Sequence, residues 1–283
     1  MNLGQMLRDA AAKNPQKPAV VCLDNVITYE KLDASTDALA RWFLREGLEP
    51  GDRVAIHWCN SIETVQLYFA CFKAGLIAVP VNNRLKAPEI EYILNHSRAK
   101  LCFSQPELAP ASKEIAHQCE DLRRIQTELP KLADDAFANI QLPDVSPEKV
   151  TAILYTSGTT ARPKGVMHTH VSLIGSTELM HSIGVDETHT PMATTQMVHI
   201  AGLACVLLPG IRNAATVVVL PVFEQGLALN MIEKWSVSYM LTLPAVLRFM
   251  VEEQSLKPRK VSSMRLCFCG GDSVPVEIGR AHV

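Results

Sequence analysis

Apolar and polar positions alternate between two periods along most of this 283-residue chain. Short runs rich in β-branched residues read as strands: PAVVCL (18–23), RVAIHWC (53–59), IAVPV (77–81), AKLCFS (99–104), VTAILYTS (150–157), ATVVVLP (215–221), SYMLTL (238–243) and MRLCFCG (264–270). Between them lie stretches with helical spacing: 29–48, 61–75, 87–97, 171–184, 227–236 and 244–254. This alternation predicts an α/β fold with largely parallel sheets sandwiched by helices. Asp24-Asn25, between two short apolar runs in LDNVITY, predicts an antiparallel hairpin at a sheet edge, so the sheets should be mixed. Residues 126–148 carry prolines and acids without clear periodicity and read as a surface connection between subdomains.

Charge narrows the possible partners. Lys plus Arg number 27 against 29 for Asp plus Glu, giving a net charge of -2 and no broad basic field for nucleic acid or an anionic membrane. Residues 1–18, MNLGQMLRDAAAKNPQKP, place charges and amides where a signal peptide needs an apolar core. No apolar run approaches the ~18 residues of a transmembrane span. The chain therefore reads as cytoplasmic. Its 8 cysteines lack CxxC pairs or histidines at zinc spacing, so we expect reduced core thiols and no metal ligands.

The strongest chemical signal is YTSGTTARPKG, residues 155–165. A phosphate group needs donors from several directions, and Gly158 among Thr156, Ser157, Thr159 and Thr160 offers backbone N–H and hydroxyl donors without bulk. Lys164 adds a point charge, and Pro163 restricts the backbone just before it. A helix is expected to begin near His168. A Walker A loop is disfavoured, because no glycine precedes Lys164 and no Ser or Thr follows it.

These residues resemble the phosphate-binding signature of the adenylate-forming superfamily, usually YTSGTTGxPKG, which includes acyl-CoA synthetases, luciferases and peptide-synthetase adenylation domains. Every fixed position matches except Ala161, where the family usually has glycine. Ala must keep a common backbone conformation there or cost on the order of 1 kcal/mol. ITYEKLD (27–33), LEPGDRVAIHWCNSIE (48–63) and residues 72–100 resemble the N-terminal subdomain of acyl-CoA synthetases. QMVHIAGL (196–203), LTLPAVL (241–247) and VSSMRLCFCGGDSVP (261–275) follow in the family's order.

The resemblance implies an N-terminal AMP-binding domain over residues 1–276, and ATP-dependent activation of a carboxylic, most simply fatty, acid through an acyl-adenylate to an acyl-CoA thioester. ATP, Mg2+ and coenzyme A are the implied cofactors and partners. By matched position, Thr156, Ser157, Gly158, Thr159, Thr160 and Lys164 would hold the phosphates. His199 would stand at the mouth of the acyl pocket, and Gly270, Gly271 and Asp272 would line the adenine and acyl pockets. Thr242 and Pro244 resemble the corner beside the substrate tunnel, although a purely structural corner reads equally well. His168 and His170 read as packing or surface residues, since an i, i+2 pair at a helix start diverges.

The apolar tunnel candidates and the lack of an Asp in TTQMVHIAGL lean toward an acyl chain over an amino acid. Transfer to a carrier-protein thiol, or nucleotide binding without turnover, are the alternative readings. No aromatic-Gly-x-Thr-Glu motif, ribose-binding Asp or lid lysine follows Pro275. EIGRAHV (277–283) can be encoded as GAG ATC GGA AGA GCA CAC GTC, which from AG ATC onward matches a widely used short-read sequencing adapter. Our expectation is that residues 277–283 are adapter translation, that the C-terminal lid domain is absent, and that the chain as written is inactive by itself. Acyl chain length and oligomeric state are not readable from the residues.

Overall fold

The apolar runs pair into two six-stranded sheets in a computed structural model that describes residues 1–156 and 162–274. Chain order is α1 (Leu3–Lys13), β1 (Pro18–Cys22), β2 (Asn25–Thr28), α2 (Tyr29–Arg45), β3 (Arg53–His57), α3 (Ile62–Ala74), β4 (Ile77–Pro80), α4 (Ala87–Ser97), β5 (Ala99–Ser104), α5 (Ala109–Ile115), β6 (Arg124–Gln126) and β7 (Val150–Thr156). It continues with β8 (Lys164–Thr169), α6 (His170–Ser182), β9 (Pro191–Ala193), α7 (Ile200–Gly202), a π-helical turn (Leu203–Leu207), α8 (Leu208–Arg212), β10 (Val217–Val219), α9 (Gln225–Trp235), β11 (Tyr239–Thr242), α10 (Pro244–Leu256) and β12 (Leu266–Cys269). The first sheet runs β6-β5-β3-β4-β7-β8 and the second β12-β11-β9-β10-β1-β2. Among the described residues only the edge pairs β7/β8 and β1/β2 are antiparallel, so both sheets are mixed as expected.

The β1/β2 turn falls one residue earlier than the sequence suggests. Leu23 takes the left-handed conformation (φ 57°), and Asn25 already pairs with Cys22. His168 is also placed differently. It lies on β8, antiparallel to β7, and the helix starts at His170. The reason is pairing: Lys164–Thr169 continues the hairpin beside β7, and Thr169 then caps α6 by accepting the Ser172 N–H at 3.1 Å. Residues 127–149 run as irregular chain without strand or helix, and Leu129, Leu132, Phe137 and Leu142 pack on the core.

Alternation along the strands sorts the layers. Val54 and Ile56 face a central helical layer with Leu101, Phe103 and Leu154, whereas Ala55, Val79 and Cys102 face α4 and α5. Val217 and Val219 of the second sheet face the same central layer, and Val218, Met192 and Met240 face α9 and α10. α3 lies in that layer and is apolar almost all round, with Leu67, Tyr68, Phe69 and Phe72 fully buried. Each such side chain contributes roughly 1.5–3 kcal/mol by burial. Ser61 opens α3 by accepting the Thr64 N–H, and Gly75 closes it in the left-handed conformation (φ 70°). Lys73 is the exception on this helix; its ammonium is buried between Asp33 and Asp37 of α2, 2.6 Å from each. Of the cysteines, Cys22, Cys71, Cys102 and Cys119 are buried in the core.

Candidate functional site

The hydroxyl-rich motif spans a hairpin. Thr156 stands opposite Lys164, Tyr155 opposite Gly165 and Leu154 opposite Val166, so residues 157–163 connect β7 to β8. Thr156 and Lys164 are exposed at the neck of that connection. Ser157, Gly158, Thr159, Thr160 and Ala161 lie outside the described residues, as do residues 275–283.

The glycine after the lysine has a steric reason. A Cβ at Gly165 would stand 2.8 Å from Ile153 Cγ2 and 3.2 Å from Tyr155 Cζ, because the tyrosine ring lies across it. Helix α4 grips both stems. The Tyr92 hydroxyl donates to the Pro163 carbonyl at 3.1 Å, and Tyr155 Oη shares a 2.7 Å hydrogen bond with His96 Nδ1. The Tyr92 and His96 rings stack at 5.3 Å, and the Arg162 guanidinium sits 5.5 Å over Tyr92. Burial pushes the Tyr155 phenol up to about 12, so it keeps its proton in this contact.

A cavity of about 250 Å³ opens beyond the carboxyl ends of strands from both sheets. Asn60 follows β3, Asn82 and Arg84 follow β4, Thr194, Thr195 and Gln196 follow β9, Leu220, Pro221, Val222 and Phe223 follow β10, and Leu243 and Val246 follow β11. Crevices at the carboxyl ends of parallel strands are where open α/β sheets bind ligands. The lining is apolar at residues 220–223, Leu243 and Val246 and polar at Asn60, Asn82, Arg84 and residues 194–196, with His199 exposed at the rim. Its pKa lies below the ordinary imidazole value, through partial burial first and the Arg84 charge second. A neutral imidazole there can accept or donate a hydrogen bond at pH 7.

Of the described residues singled out from sequence, His199 alone lines this cavity. Thr242 is buried behind it, its hydroxyl without a hydrogen-bond partner among the described residues, while the next residue, Leu243, supplies the wall. Gly270 donates to the Thr242 carbonyl at 3.1 Å. Gly271 has φ 86°, and a Cβ there would stand 3.0 Å from Leu243 Cδ2, so the glycine turn packs against a residue of the cavity wall. Asp272 is exposed and accepts the Ser273 N–H at 2.7 Å. Pro244 opens α10. His170 is buried, and its Nδ1 accepts the Leu3 N–H at 3.2 Å, an otherwise orphaned donor of α1.

Asn60, Arg84, Gln196 and Phe223 escaped notice in the sequence. The available signal was a polar cluster directly after a buried strand, WCNS after RVAIH and NNRL after IAVPV.

The hairpin and the cavity are neighbours. β4 and β7 pair in parallel through Ala78 and Ala152, which puts the Asn82–Arg84 rim and the motif at the same carboxyl edge of the first sheet. The model of the AMP-binding enzyme family matches residues 7–282. The chain belongs to that family. Among curated relatives, a fatty acid–[acyl-carrier-protein] ligase of Streptomyces coeruleorubidus is 30% identical over 271 residues, covering 93% of this chain and 52% of the relative. A long-chain-fatty-acid–CoA ligase of Mycobacterium tuberculosis is 30% identical over 282 residues, covering 97% and 56%. This family member thus spans about half the length of the curated relatives it matches. Among solved structures, the inhibitor-bound N-terminal domain of FACL13 from Mycobacterium tuberculosis superposes with a TM-score of 0.91 at 28% identity, over 99% of this chain and 73% of that one. An anthranilate CoA ligase in complex with anthranoyl-AMP shares the fold with a TM-score of 0.90 at 22% identity, over 99% and 56%. The two mainly parallel sheets with their helices are this family's N-terminal architecture.

Proposed function

We propose that the protein carrying this chain is an acid–thiol ligase that activates a fatty or other hydrophobic carboxylic acid with ATP. In this reading a carboxylate oxygen attacks the α-phosphorus, pyrophosphate leaves, and the thiol of coenzyme A then displaces AMP from the acyl-adenylate. The observation that carries it is the adjacency of the Thr156–Lys164 neck and the half-apolar cavity at one carboxyl edge. Lys164 and the hydroxyl segment supply donors and positive charge for phosphate oxygens, where charge accumulates during phosphoryl-group displacement. The Phe223, Leu243 and Val246 wall takes the acyl part, and His199 and Arg84 face the carboxylate end. Gly270, Gly271, Asp272 and Thr242 act in this scheme by shaping the far wall.

Mg2+ would enter with ATP, held chiefly by the nucleotide phosphates and neutralising their charge; the described residues contain no cluster of three or more His, Cys, Asp or Glu that could hold a metal. No described helix is long and apolar enough to cross a membrane. Transfer to a carrier-protein thiol is the second reading, favoured by the acceptor in the Streptomyces relative's name.

The test is acid-dependent release of pyrophosphate from ATP by the protein that carries this sequence, with octanoate as the acid, followed by mass detection of octanoyl-CoA or octanoyl carrier protein. Lys164→Ala should lower ATP affinity and turnover about 100-fold, as removal of one transition-state donor commonly does, while leaving thermal stability unchanged. ATP binding without pyrophosphate release would instead identify a nucleotide-binding module.

A further inference from the structure

Every backbone polar group in a buried bend needs a partner, and the bend leaving β9 obtains its partners from the opposite sheet. Asn60, 4% exposed, accepts the Met197 N–H on Oδ1 at 2.8 Å and donates from Nδ2 to the Thr195 carbonyl at 3.0 Å. One side-chain amide thereby gives residues 195 and 197 the two bonds that a neighbouring strand would give. Tyr68 Oη adds a bond to the Met197 carbonyl at 2.8 Å, and the Gln196 amide donates to Asn83 Oδ1 at 2.7 Å. The bend is tight. The His199 N–H returns to the Gln196 carbonyl at 3.1 Å, and a Cβ at Gly202 would stand 2.7 Å from that same oxygen. Shifting residues 195–197 therefore shifts His199.

We propose that Asn60 is a positioning residue for acid binding, a two-point clamp that fixes His199 on the cavity rim and sets the rim's spacing across the two sheets. This rests on the acid-activation reading of the cavity. Asn60, Thr195, Gln196 and His199 all border that cavity, whereas the hairpin stems contact α4 instead. Loss of the clamp should thus act on the acid and spare the nucleotide. The amide is also directional: a carboxylate at this position would still accept from Met197 but would oppose the Thr195 carbonyl, whereas a protonated carboxyl restores both bonds.

The experiment measures octanoate and ATP binding to this chain by calorimetry, and the His199 imidazole titration by NMR, in Asn60→Ala and Asn60→Asp. The expected result is octanoate binding about tenfold weaker in Asn60→Ala, comparable to the loss of a buried hydrogen-bonding pair, with ATP affinity within about twofold and His199 moved up toward its ordinary value. Asn60→Asp should be weaker still at neutral pH and should recover, relative to wild type at each pH, as the introduced carboxyl protonates. If the wild-type chain binds ATP but not octanoate, the acid reading of the cavity fails, while the clamp is still judged at the His199 ring. An unchanged His199 titration in Asn60→Ala overturns the proposal. So does an equal loss of ATP and octanoate binding, which marks a purely structural residue.

Discussion

The β7/β8 hairpin and the cavity across the two sheets are built in opposite ways. The hairpin takes its chemistry from consecutive residues and its geometry from local register, with Thr156 facing Lys164 and Tyr155 lying over Gly165. The cavity gathers residues 60, 82, 84, 194–196, 199, 220–223, 243 and 246 at the carboxyl ends of five strands. Local sites therefore survive as readable strings, and non-local sites leave only scattered polar residues after strands. The hairpin is nevertheless anchored at a distance. Tyr92 and His96 hold its stems, and His170, the residue after β8, ties α6 to the start of α1.

That distant anchoring gives the largest expected effect. Burial pushes the pKa values of His170 and His57 down to about 4, from 6.5. His57 shares Nδ1 with Ser104 and Ser112, at 3.1 and 2.9 Å, and its Nε2 has no partner among the described residues. The unfolded chain binds these protons first, so the stabilisation is complete above pH 6.5 and is lost as pH falls from 6.5 towards 4. Each site should lose on the order of 3 kcal/mol across that window. His170→Asn should flatten the pH dependence of chemical denaturation, and an unchanged slope would show that the hairpin's far end is held only locally.

Gly165→Ala sharpens the comparison from the local side. The added Cβ must displace Ile153 or the Tyr155 ring, which should cost roughly 2 kcal/mol of stability, as overpacking commonly does. It should also weaken ATP binding more than octanoate binding, and the reverse order would break the separation of the two regions. The smallest effect is expected from Tyr68→Phe. It strips the Met197 carbonyl of its bond from the Tyr68 hydroxyl and should cost about 1 kcal/mol in thermal unfolding, with a modest loss of octanoate affinity and none for ATP.

Much of the fold was legible because its strands are short apolar runs bounded by turns, and α3 announces its burial by being apolar on nearly every face. Other elements resisted, β9, β8 and α1 among them. β9 is only Pro191–Ala193, with no β-branched residue, yet it lies between β10 and β11 in the second sheet. Its identity comes from parallel pairing on both sides. Lys164–Thr169 carries no strand-like alternation, with burial from exposed to half-buried, and becomes β8 because β7 offers it an edge. α1 has no decisive sequence signal; its Asn2 cap and its apolar face against α3 decide it.

The same division holds for the candidate site. The sequence by itself determined the α/β alternation, the hydroxyl- and glycine-rich string and the residue types at the neck, because hydrogen-bond donors, glycine freedom and a lysine charge act over a few consecutive positions. Only the tertiary structure decided that His199 reaches a cavity while Thr242 hides behind its wall, and that Asn60 and Arg84 join the rim. Those outcomes depend on strands far apart in the chain ending at one edge, where the burial and pairing of each residue are set by neighbours that its own segment does not contain.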